Sequence, residues 1–276
     1  MKKAIIFALS FILLITSLGI SKSLANEDMP ISLDIHAYTA SAHVNPDGSV
    51  SIEEYITYNF NKNFSGTIRK NIDAFAASSI DNFSVYYVAE VDEEDIKKSK
   101  LEQIKSDTYK LIYDEEYGIV NGIEVSIDKE ENQKTLVYKY TLYDLVGIYK
   151  DMALLDWSFI NQEDGRCLGE ISISVHIPKG GDVELTQSFL QGALYSQQFK
   201  EGNTVKYDAS LMLEDGDLRL VMLLPTSMVP EGRKIIENEI ADKVLADMQE
   251  YEEIIGQARE AYERRQLIIR LLSIVT

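Results

Sequence analysis

Cysteine is almost absent from this chain: Cys167 stands alone. One thiol closes no internal disulfide, so the fold has to rest on its hydrophobic core. With 276 residues and an apolar share of 45%, the chain is large enough to do without cross-links. A bridge to a second chain through Cys167 is the lesser alternative. Histidine is scarce as well. His36, His43 and His176 show no metal-binding spacing with one another or with Cys167, which leaves no recognisable zinc site. Nor does the sequence place a His beside Cys167 to activate it as a nucleophile, so its thiol reads as inert. Basic residues are few: 27 Lys and Arg stand against 45 Asp and Glu, a formal charge of −18. That balance excludes nucleic acid as a partner, because phosphate neutralisation needs a basic surface. It also disfavours adhesion of the domain to anionic lipid and favours a soluble, self-repelling surface. Internal repeats and low-complexity stretches are missing too.

What is present begins with the compartment. Lys2 and Lys3 precede an apolar run, Ala4–Ile20, and small residues follow at Ser23 and Ala25. This is the three-part layout of a secretory signal peptide, with cleavage expected after Ala25. The alternative is an uncleaved anchor, although the run is near the short end of a membrane span. Removing Lys2, Lys3 and Lys22 lowers the formal charge by three, to −21. The expectation is an exported, extracytoplasmic protein, either associated with the cell membrane or secreted.

From Ile31 the apolar period is two. Tyr38, Ala40, Ala42 and Val44 alternate with polar residues. Asn45-Pro46-Asp47-Gly48 then makes a turn, and Val50, Ile52, Ile56, Tyr58 and Phe60 share one face. The pattern predicts a β-hairpin, Ile35–Val44 with Ser49–Phe60. Residues 61–72 read as a loop around Gly66, and 91–107 as a polar surface insertion. Further strands are predicted around Phe83–Ala89, Leu111–Tyr113, Gly122–Ile127, Leu136–Leu142, Ile171–Ile177, Val205–Leu211 and Leu218–Leu224. Eight or nine short strands with few helical stretches predict a mainly β fold, an antiparallel β-sandwich.

After Pro230 the period changes. Ile236, Ile240, Val244, Met248, Tyr251 and Ile255 recur at three- and four-residue steps among charged residues. This predicts a long C-terminal amphipathic helix from Glu231 to about Arg270, leaving the sandwich as a stalk. At about 1.5 Å per residue it would extend about 60 Å. The apolar end, Leu267–Val275, is nine residues long, about half of what a bilayer requires. The expected organisation is a signal peptide at 1–25, an extracytoplasmic β-sandwich at 26–228, and a helical stalk with a truncated apolar end at 229–276. A chain of this form is expected to wash off membranes with salt or carbonate once its signal is removed.

Several segments carry a resemblance. Gly48-Ser49-Val50, the alternation Ile52-x-Glu54-x-Ile56-x-Tyr58-x-Phe60, and Phe64-x-Gly66-Thr67-Ile68-Arg69 lie in one region. Tyr140, Tyr149-x-Asp151 and Leu155-Asp156-Trp157 follow, and two strands end as Val175-His176-Ile177-Pro178 and Met222-Leu223-Leu224-Pro225. Together these resemble the "domain of unknown function 2207" family of predicted bacterial membrane proteins, over roughly residues 31–265. The resemblance implies a signal, an extracytoplasmic β domain and membrane spans, without an established activity. It also marks Gly66, Arg69, Asp151 and Trp157 as structural candidates.

No motif carries catalysis. Adjacent acids such as Glu53-Glu54 or Glu93-Glu94 point to opposite faces of a strand and cannot form the facing pair that a glycosidase needs. Asp47-Gly48, Asp164-Gly165 and Asp215-Gly216 lack the alternating acids of a calcium loop and read as turns. The sixteen tyrosines suit half-wet strand faces. No catalytic, cofactor-binding or metal-binding residue is therefore expected. The leading expectation is a non-enzymatic domain of a membrane-associated cell-envelope protein, binding or scaffolding an envelope or membrane protein, its ligand unknown. An extracytoplasmic sugar- or peptide-binding sensor is the alternative, and a cell-wall glycoside hydrolase the third. One residue breaks the local pattern. Glu54 must share the core face of Val50, Ile52 and Ile56, and a buried carboxylate needs a partner. The expected partner is Arg69, just past the Gly66 loop.

Overall fold

The computed structural model describes residues 33–275 apart from 93, 214 and 215; the expected signal peptide lies outside the described residues. Two sheets face each other. The larger is built from β1 (Leu33–Val44), β2 (Val50–Asn71), β3 (Ser79–Glu90), β4 (Lys100–Gln103), β5 (Tyr109–Tyr113), β6 (Val120–Tyr143), β9 (Cys167–His176), β11 (Ala193–Glu201) and β12 (Thr204–Met212). Its order is β11-β12-β9-β1-β2-β6-β3-β4, with β5 also pairing β6. The smaller contains β7 (Gly147–Ile148), β8 (Ala153–Ile160), β10 (Gln187–Gln191) and β13 (Leu218–Leu224) in the order β10-β13-β8-β7. The fold is mainly β, as the alternating pattern predicts.

The first hairpin follows from its turn. Gly48 takes φ 79°, and Asn45 and Ser49 close the turn with a 2.9 Å backbone bond, which sets the register Val44 opposite Val50. One pair departs from the antiparallel expectation: β1 and β9 run parallel. The chain reaches β9 from β8, in the other sheet, so β9 enters beside β1 by a crossover rather than a hairpin.

The expected loop at 61–72 is a second correction. β2 continues unbroken to Asn71 and pairs with β6 along most of its length, with register shifts between Asn59 and Phe64 and between Phe64 and Gly66. Ile68, Lys70 and Ile72 alternate into the core there, a strand period that the polar flanks conceal. At about 3.3 Å per residue, the sixteen residues from Glu54 to Lys70 would span about 50 Å if straight. Their side chains meet at 3.6 Å, so the β2–β6 ribbon doubles back at these irregularities. In the expected insertion at 91–107, the described residues form a short 3-10 turn, Ile96–Lys98, and β4.

The helix α1 runs from Ala241 to Val275. Residues 231–240 are irregular instead, because part of their backbone bonds to β7 through an isolated bridge: Ile148 N–H donates to Lys234 O at 2.8 Å and Ile236 N–H to Ile148 O at 2.8 Å. The first half of α1 does not leave the sandwich. Val244, with Leu245, Met248 and Tyr251, covers Phe189, Val221 and Leu223 on the outer face of the smaller sheet. The run Leu220–Leu224 is apolar at every position, and such a strand needs cover on both faces. The second half stands clear, with Leu267, Ile268, Ile269, Leu271 and Leu272 between 49% and 63% exposed.

Candidate functional site

The ionisable groups that break the apolar pattern converge inside the core. Glu54 on β2 is fully buried. By the period of two it shares the inner face with its cross-strand diagonals, Tyr38 on β1 and Tyr140 on β6. The Tyr38 hydroxyl donates to Glu54 Oε1, and the Tyr140 hydroxyl to Oε2 at 2.9 Å. Its cationic partner is Lys70, whose Nζ lies 3.6 Å from Oε1. The expected partner, Arg69, is exposed, and its Nε donates to Asn71 Oδ1 at 2.9 Å. The reason is parity: residues 69 and 70 point to opposite faces of β2, and only Lys70 shares the face of Ile68 and Ile72.

A third charge completes the cluster. Asp164 sits in the Gln162–Asp164 turn between β8 and β9, with its Oδ2 3.3 Å from Lys70 Nζ. Its Oδ1 accepts the Asn71 backbone N–H at 2.6 Å and Asn71 Nδ2 at 2.9 Å. Its Oδ2 accepts the Asn161 N–H at 3.1 Å. Lys70 also donates to the carbonyls of Phe159 at 2.6 Å and Asn71 at 3.2 Å. Burial pushes the Glu54 carboxyl above the ordinary range, partly offset by Lys70 and the two tyrosine hydroxyls. Lys70 is pulled up by Asp164 and Glu54 against the opposing effect of its own burial. Tyr38, Tyr58 and Tyr140 are pushed well up, first by burial and then by the surrounding acids and tyrosines. The cluster is sealed from solvent. The one sequence signal for it beyond Glu54 was Ile68-x-Lys70-x-Ile72; nothing marked Asp164 beyond its turn.

The remaining candidates serve the frame. Gly66 lies at the bend of the β2–β6 ribbon, where a Cβ would come within 3.1 Å of the Phe64 ring, itself stacked on Phe60. Asp151 accepts the backbone N–H groups of Ile240 at 3.0 Å and Ala241 at 2.8 Å, capping α1 from outside. Trp157 is buried on β8. Cys167 is buried too, and burial pushes its thiol up to about 12. At the end of β1 and β9, His43 and His176 stack at 4.2 Å.

On the surface, a cleft of about 340 Å³ is lined in part by Asp73, Tyr149, Asp156, Asp217, Arg219 and Lys234. Arg219 clasps Asp156 with two nitrogens, Nε donating to Oδ1 at 2.6 Å and Nη2 to Oδ2, and Lys234 Nζ donates to Ala76 O at 2.7 Å. Among the described residues, no group of three or more His, Cys, Asp or Glu is placed to hold a metal ion. No described helix is long and apolar enough to cross a membrane.

No curated protein matches the chain significantly. Solved structures resemble it distantly. An M1 zinc metallopeptidase from Deinococcus radiodurans aligns at 10% identity and a TM-score of 0.39, over 69% of this chain and 42% of that one. A putative nutrient binding protein from Legionella pneumophila aligns at 11% and 0.41, over 69% and 66%. Leukotriene A4 hydrolase from Saccharomyces cerevisiae aligns at 9% and 0.43, over 76% and 32%. The chain thus spans less than half the length of the peptidase and the hydrolase. A family model matches most of the chain: the protein belongs to the family described as "Predicted membrane protein (DUF2207) N-terminal domain", over residues 34–222.

Proposed function

We propose that this is a non-enzymatic, extracytoplasmic domain of a membrane-associated cell-envelope protein, which works by binding or organising an envelope or membrane protein. The observation that carries this reading is the arrangement of α1. Its first half is rooted on the smaller sheet by Asp151 and by the Val244 face, while Leu267–Leu272 present apolar side chains to the surroundings. A helix held rigidly at one end and apolar at the other suits a strut between a folded domain and a bilayer or partner. The buried position of the Glu54–Lys70–Asp164 cluster supports a structural use for it. In-cell photo-crosslinking tests the reading. A probe at Leu271 should give adducts with membrane proteins or lipid, and one at Lys179, in the exposed turn after β9, should not. Equal adducts from both, or none from Leu271, would count against it.

A second reading, a sensor for a small polar ligand, is favoured by the surface cleft with its Tyr149, Arg219 and Lys234 lining. The Asp156 carboxylate is already engaged by Arg219. A saccharide or peptide that raises the melting temperature of wild-type chain but not of Arg219→Ala would favour the sensor.

A further inference from the structure

The core cluster brings a primary amine and two carboxyl groups together where water is excluded. Lys70, Glu54 and Asp164 are 1%, 0% and 5% exposed. We propose that Lys70 and Asp164 condense into an intramolecular isopeptide bond, with Glu54 as the proton relay.

Four features of the cluster support the reaction. The first is proximity: Nζ lies 3.3 Å from Asp164 Oδ2, and two groups fixed by the fold react as one molecule, with effective concentrations of about 10⁵–10⁸ M in favourable cases. The second is charge removal. An ammonium and a carboxylate are costly to hold in the core, and the neutral amide is not. The third is an oxyanion site. Asp164 Oδ1 already faces two donors, the Asn71 backbone N–H at 2.6 Å and Asn71 Nδ2 at 2.9 Å, placed to hold the charge that develops when Cγ becomes tetrahedral. The fourth is the relay. Glu54 stands 3.6 Å from the same amine, and its orientation is fixed by the hydroxyls of Tyr38 and Tyr140.

The step balances without any co-reactant. The Lys70 ammonium gives one proton to ionised Glu54, which passes it to Asp164 Oδ2, and the freed Nζ lone pair attacks Cγ of the neutral carboxylic acid. The negative charge collects on Oδ1 as the C=O π bond opens. A second proton leaves the nitrogen for Oδ2 as the Cγ–Oδ2 bond breaks and the carbonyl re-forms. Ammonium and carboxylate become one amide and one water, and Glu54 ends as it began. The amide retains a single N–H, which suits the nearer of the two carbonyls that Nζ now meets, that of Phe159 at 2.6 Å. The bond would tie β2 to the turn between β8 and β9, and so bind the large sheet to the connection from the small one.

Mass spectrometry of the purified, unfolded full chain tests this. The wild type should be lighter by one water than its sequence requires from the N-terminus that its own fragments define. A tryptic digest should contain one branched peptide joining Lys70 to Asp164. Lys70→Arg and Asp164→Ala should keep their full masses, and Glu54→Gln should remain largely unreacted. A folded wild-type chain at full mass, with Lys70 and Asp164 recovered in separate peptides, overturns the proposal whatever the variants do. Complete condensation in Glu54→Gln overturns the relay role of Glu54.

Discussion

At the scale of single residues, parity decides the core. The alternation Val50, Ile52, Glu54, Ile56 told where Glu54 points, and it lies fully buried. Its partner is hidden as long as 61–72 reads as a loop, because a loop has no parity to apply. Once β2 is seen to continue, Ile68-x-Lys70-x-Ile72 names the lysine by the same rule. Substitutions should separate the two. Glu54→Ala takes one of its two carboxylates from Lys70 and leaves the buried Tyr38 and Tyr140 hydroxyls without their acceptor, and should cost about 1–3 kcal/mol in urea unfolding. Arg69→Ala, on the exposed face, should stay within about 0.5 kcal/mol. The stacked histidines give a second test. Burial holds both His43 and His176 below the ordinary imidazole range, His176 at about 4; Glu53 opposes the shift at His43, while Lys97 adds to it at both rings and His43 adds to it at His176. The folded state therefore favours neutral rings. Their contribution is intact above about pH 6.5, where the unfolded imidazole is also neutral. It is lost as the pH falls from there towards about 4. Melting temperatures across that window should fall less steeply for a His176→Gln chain than for the wild type.

At the scale of elements, the strands were largely legible and the ends of the helix were not. Alternating apolar residues mark most of the strands directly. The start of α1 escaped because Lys234 and Ile236 bond their backbone to Ile148 of β7, a tertiary pairing that overrides local helical period. Its docking was foreshadowed only by the unbroken apolar run Leu220–Leu224, which asks for cover on the outer face as well as the inner. Asp151 fixes where the helix begins. Its carboxyl is held below the usual range by the N–H groups of Ala241 and Ile240. That support is present above about pH 4 and is lost as the pH falls further. Asp151→Ala should speed amide hydrogen exchange in the first turn of α1 while leaving β1–β2 protection unchanged. Further along, Tyr251 accepts the Gly192 N–H at 2.9 Å, and Gly192 has no room for a side chain, since a Cβ would lie 2.0 Å from Asp217 O. Gly192→Ala should therefore loosen the middle of the helix. Limited proteolysis should then cut before Arg259 in the variant but only beyond Glu263 in the wild type.

At the scale of the whole molecule, the Glu54–Lys70–Asp164 cluster lies in the interior and an apolar helix end faces out. The proposed placement outside the cytoplasm belongs to this scale. Tyr38, Tyr58 and Tyr140 should ionise only as the fold opens, because burial raises them well above the ordinary phenol value. Stability from these groups is present below about pH 10 and lost as pH rises further, so phenolate absorbance should climb in step with unfolding. Location tests the account most directly. Because Cys167 is buried, the native chain should give little background with a thiol reagent. A Lys179→Cys chain, with the new thiol on an exposed turn, should be labelled on intact cells by a membrane-impermeant maleimide as fully as after lysis. Labelling of Lys179→Cys only after the cells are broken would contradict the extracytoplasmic placement.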